Sequence, residues 1–61
     1  MSYETFWELY HQAKYVTSEP SRAAIVREGN EIRREYGGSL ILLRYDWDRK
    51  SQTWRVTREG L

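Results

Sequence analysis

The sequence predicts a small α+β domain: a helical hairpin packed on one face of a C-terminal two-stranded antiparallel β-hairpin, in the order ααββ, completed by dimerisation. Three observations predict it. Residues 3–16 and 19–36 each carry apolar side chains at helical spacing, with a Thr-Ser-Glu-Pro start signal at the second, and residues 39–59 alternate and then turn back on themselves. The chain has 61 residues and no cysteine, and a chain of this size hides only about 60% of its unfolded surface. Natural domains this short gain stability from a disulfide, a metal or a second subunit, and here the composition favours the subunit.

Ser2 is placed to cap a first helix over about residues 3–16, with Glu4 in its first turn and Lys14 in its last, each at the end of the dipole that suits its charge. At 100° per residue Tyr3, Phe6, Trp7, Leu9, Tyr10, Ala13 and Val16 fall on one side, and Glu4, Glu8, His11, Gln12 and Tyr15 on the other. Tyr3 to Trp7 is also rich in strand formers, so a third strand stays open there. Thr17-Ser18-Glu19-Pro20 starts a second helix over about 19–36, whose stripe is Ile25, Gly29, Ile32 and Tyr36, and Gly37-Gly38 supplies its left-handed cap. Gly29 stands at the centre of that stripe. Continuous periodicity on either side favours close approach of the first helix over a break.

Residues 39–59 form the hairpin, and the side chains fix its register. Trp47 opposite Trp54 brings Tyr45 to Val56, Leu43 to Arg58 and Asp46 to Arg55. One face is then aromatic and aliphatic, and the helices are expected to cover it. The Leu40–Leu43 run, apolar on both faces, reads as an exposed edge, and a homodimer or a heteromeric docking surface is expected on that edge or on the aromatic helix face.

Net charge is +1, divided as −1 over residues 1–17, zero over 18–36 and +2 over 37–61, too little for a general polyanion partner. The longest uninterrupted apolar run, Leu40 to Leu43, is far too short for a membrane span, and no secretory signal is seen. A chain without thiols suits the cytoplasm. Glu8-Leu9-Tyr10-His11 has the Glu-x-x-His spacing of a helical metal site, but both residues fall on the solvent side of the first helix with no third ligand, so no metal and no cofactor are expected. The serines have no acid–base partner in sight, and most carboxylates lie a helical turn from an arginine, which argues against an enzyme.

The composition points to binding. Nine aromatic residues exceed what one small core hides, and surplus rings are the usual anchors of protein interfaces. The expected partner-binding residues are Tyr3, Trp7, Tyr15, Tyr36, Leu40 and Leu42. The expected function is a non-enzymatic module that docks on a larger protein and inhibits or tethers it, the kind of chain a phage or mobile element directs at a host enzyme. The alternative is a dimeric nucleic-acid-binding protein that uses the basic hairpin through Arg44, Arg49, Lys50 and Arg55.

Overall fold

The structure, a computed structural model, describes residues 4–61. The chain forms β1 (Thr5–His11), β2 (Lys14–Glu19), α1 (Arg22–Glu35), β3 (Leu40–Asp48) and β4 (Thr53–Glu59). The strands make one antiparallel sheet in the order β2-β1-β3-β4. This corrects the expected architecture. Among the described residues there is one helix, not a helical hairpin, and the sheet has four strands, not two.

The expected first helix is a β-hairpin. Gln12 and Ala13 form its two-residue turn, both at positive φ, +50° and +65°, which is the backbone that matches the twist of two flanking strands. Leu9 pairs with Thr17 and Tyr10 with Tyr15, so Val16 is the extra residue of a bulge. Tyr15, Val16 and Thr17, two of them β-branched, favour this outcome. Ser2 and Tyr3 lie outside the described residues.

The second element is helical but starts later than Pro20. Ser21 is its N-cap, accepting from the Ala24 amide at 3.4 Å. The helix ends at Glu35 with Tyr36 as its C-cap, and Gly37 follows at φ +67°, its amide donating to the carbonyls of Ile32 and Arg33 at 3.2 and 3.1 Å. Gly29 is buried and the helix runs through it unbroken. A Cβ there would stand 2.9 Å from Leu61 Cδ1 and 3.5 Å from Leu9 Cδ1, so the close approach is made by the C-terminus and β1.

α1 packs on β1 and β2. Its Ile25 meets Leu9 of β1 and Leu42 of β3, all three without exposure, and Trp7, Val26, Ile32, Leu40 and Leu61 surround them. Strand alternation puts Trp7, Leu9, His11, Leu40, Leu42 and Arg44 on this side. β3 is an interior strand, bonded to β1 on one side and β4 on the other, so Leu40–Leu43 is not the free edge expected of it. The free edges are β2 and β4.

Truncating the central leucine is the sharpest test of where this core lies. Leu9→Ala is expected to cost about 2–5 kcal/mol, and Val56→Ala, on the opposite side of the sheet and half exposed, under about 1 kcal/mol. Urea unfolding followed by far-UV circular dichroism measures both.

Candidate functional site

The face of the sheet turned away from α1 is covered by nothing among the described residues, and it is aromatic. Phe6, Glu8 and Tyr10 of β1 alternate onto it, as do Ile41, Leu43, Tyr45 and Trp47 of β3 and Trp54, Val56 and Arg58 of β4. The observed β3–β4 register is Trp47 to Trp54, Tyr45 to Val56, Leu43 to Arg58 and Asp46 to Arg55, as the side chains dictate. The expected cover is on the other side. A single helix seals one face of a sheet, and the fully buried triad holds α1 to the Leu9 side.

The rings form one connected surface. Phe6 stacks on Tyr45 with centroids 4.8 Å apart and planes 3° from parallel. Trp54 stands edge-on to Phe6 at 5.2 Å, and Trp47 meets Trp54 at 5.1 Å. Such pairs contribute about 0.5–1.5 kcal/mol each beyond area burial, so they help to hold β1, β3 and β4 together on the side that no helix supports. They still leave Trp47, Trp54 and Val56 with 37, 44 and 48% of their surface exposed. Tyr15 extends the patch, its ring 5.8 Å from that of Tyr10.

Glu8 is the one acid that β1, β3 and β4 place within this face, on the second strand in. Tyr10 Oη donates to Glu8 Oε1 at 3.1 Å. With Glu8 as hydrogen-bond acceptor and partial burial adding to it, Tyr10 is held above the usual tyrosine pKa and Tyr45 is pushed up to about 12. The carboxylate and its phenols form a polar spot ringed by aromatic carbon, a setting that attracts a cation.

The expected site residues scatter. Tyr3 lies outside the described residues. Leu42 is fully buried and closed to a partner, and Leu40 is half-buried against the core: the strand that carries them is interior. Trp7 faces α1, its indole N–H donating to Glu59 Oε1 at 2.7 Å. Tyr36 is exposed at the helix end, away from the patch, near His11. Of the expected partner-binding residues within the description, only Tyr15 joins the aromatic face. Phe6, Tyr10, Tyr45, Trp47 and Trp54 are legible in the sequence as apolar faces, but as faces expected in the core.

The Glu-x-x-His spacing has no meaning here. In a strand, residues three apart point to opposite faces, so Glu8 is on the open face while His11 Nε2 contacts the Gly37 carbonyl at 2.6 Å on the helix side. No group of three metal-binding side chains exists among the described residues. No helix among them is long and apolar enough to cross a membrane.

Three of the four basic residues expected at a nucleic-acid surface are paired with carboxylates within the chain. Arg44 bonds Asp46 at 3.1 Å and lies 5.7 Å from the Trp7 ring, Arg49 pairs with Glu4, and Arg55 reaches Asp48 at 3.5 Å. Asp48 also accepts from the Lys50 and Ser51 amides at 2.9 and 3.5 Å, and those bonds hold its carboxyl below the usual range. Lys50 remains at the tip.

Tyr45 gives the face a spectroscopic handle. A raised tyrosine pKa means that the folded state favours the protonated phenol, so this contribution to stability is complete below pH 10 and is lost as pH rises through about 12. Tyrosinate absorbance is expected to show a late-titrating phenol that Glu8→Gln brings back toward its ordinary value.

Comparison with family models, with curated proteins and with solved structures finds no match for this chain.

Proposed function

We propose that the chain is a non-enzymatic protein-binding module of the cytoplasm that docks on a larger protein through its open aromatic face, and inhibits or tethers that protein by covering it. The observation that carries this reading is the uncovered surface of Phe6, Tyr15, Tyr45, Trp47, Trp54 and Val56, three of them tryptophan or valine more than a third exposed. Large contiguous apolar patches on small domains mark interaction sites, and rigid aromatic rings supply contact area at little entropic cost.

The nucleic-acid reading draws on the same rings, since bases stack on exposed aromatics. Electrostatics argue against it. Arg44 and Arg55 lie on the opposite face, three of the four basic residues involved already hold carboxylates, and on the aromatic face Arg58 is offset by Glu8, so that face offers phosphates no net positive charge.

Capture from a cell extract on the immobilised protein, with and without nuclease, separates the two. A retained protein that survives nuclease and moderate salt is expected. Trp54→Ser with Phe6→Ser is expected to reduce its capture at least tenfold, and Arg49→Ala with Lys50→Ala to leave it unchanged. Retention abolished by nuclease, or by the tip substitutions alone, would contradict the reading.

A further inference from the structure

The open face carries its charge in a self-complementary pattern. Ser18, Glu8, Leu43 and Arg58 form one row across all four strands. Within β1, β3 and β4 the only charged side chains on that face are Glu8 and Arg58, one strand to either side of Leu43 and about 10 Å apart by strand spacing. Neither makes an ion pair among the described residues. The rows on either side, Phe6-Tyr45-Val56 and Tyr10-Ile41, are apolar or aromatic.

We propose that a second copy of this chain covers the face when the larger partner is absent, forming a face-to-face sandwich whose twofold axis runs along β3. This rests on reading the face as a protein-docking surface. A twofold along β3, lying between the two sheets, exchanges left and right but leaves position along the strand unchanged. It therefore carries Glu8 of each copy over Arg58 of the other, giving two equivalent ion pairs. The same operation sets Phe6 against Val56, and Tyr45 and Leu43 each against its own counterpart. An interface that maps onto itself in this way is the commonest route to a closed dimer.

Three strands about 4.8 Å apart and about seven residues long, pressed against their copies, remove on the order of 1,000 Å² from water. That is the lower limit for a specific interface, so the dimer is a weak one, in exchange with free chains that expose the face to other partners. Burial of Glu8 and Arg58 without each other would leave two desolvated charges, and their mutual pairing fixes the register of the two sheets.

Charge reversal tests the geometry directly. Sedimentation velocity of the wild type is expected to show dimer at hundreds of micromolar. Glu8→Arg alone sets arginine against arginine, and Arg58→Glu alone sets glutamate against glutamate. Each is expected to weaken the dimer by about a hundredfold or more. Mixing the two single variants restores both attractive pairs, so a heterodimer is expected only in the mixture, and the chain carrying both reversals dimerises again. If a reversed chain fails to fold by circular dichroism, Glu8→Lys or Arg58→Asp replaces it in the same mixing experiment. A monomeric wild type, a dimer indifferent to the single reversals, or a mixture that stays monomeric would overturn the proposal. Capture of a larger protein that depends on Phe6 and Trp54 would then still support the docking reading, and its loss would fail both.

Discussion

Leu9 on the second strand of the sheet, Leu42 beside it on β3 and Ile25 on the helix above are the three side chains with no exposure, and the remainder of the fold is arranged around their contact. Gly29 on the same helix face lets Leu61 lie close against α1, since a Cβ there would stand 2.9 Å from Leu61 Cδ1. The helix cap at Gly37, held to His11 of β1, fixes the other end of α1 over the same strands. With one helix available, one face of the sheet is sealed and the opposite face is left to its own resources.

The consequence is a division of labour between the faces. The helix side combines a small aliphatic core with a polar margin, where Thr5 donates to Asp46 at 2.8 Å and Trp7 to Glu59 at 2.7 Å. The other side replaces a core by rings that pack on one another and remain half wet. A chain of 61 residues has little free energy to spare, and an apolar surface of this extent favours association, which would bury area that folding leaves exposed. Binding and stability are coupled here by mass action: whatever occupies the face also stabilises the fold.

The C-terminal half was legible because its signals do not conflict. Trp47 with Trp54 and Asp46 with Arg55 admit one hairpin register, and Ile25, Gly29 and Ile32 admit one helical phase. The N-terminal half was not. Phe6, Trp7, Leu9 and Tyr10 satisfy a helical stripe, yet they equally describe a strand apolar on both faces, which has no alternation to show. The turn that decides the matter is Gln12-Ala13, two residues that rarely take positive φ, instead of the Asn-Gly that announces such a hairpin. A helix in that segment would give the aromatic face two helices to cover it, so the exposure of that face does not follow from the sequence. The cluster itself was visible; the side on which the helix sits was not.

The exposure of Trp54 tests the central claim most directly. In a chain with Trp7→Phe and Trp47→Phe, acrylamide quenching of the remaining indole at a concentration low enough to hold the chain monomeric reports whether that face is open. Efficient quenching with the emission of a water-exposed indole is the expected result. A shielded, blue-shifted Trp54 in the folded monomer would mean that the helix covers the aromatic face, and would contradict the account.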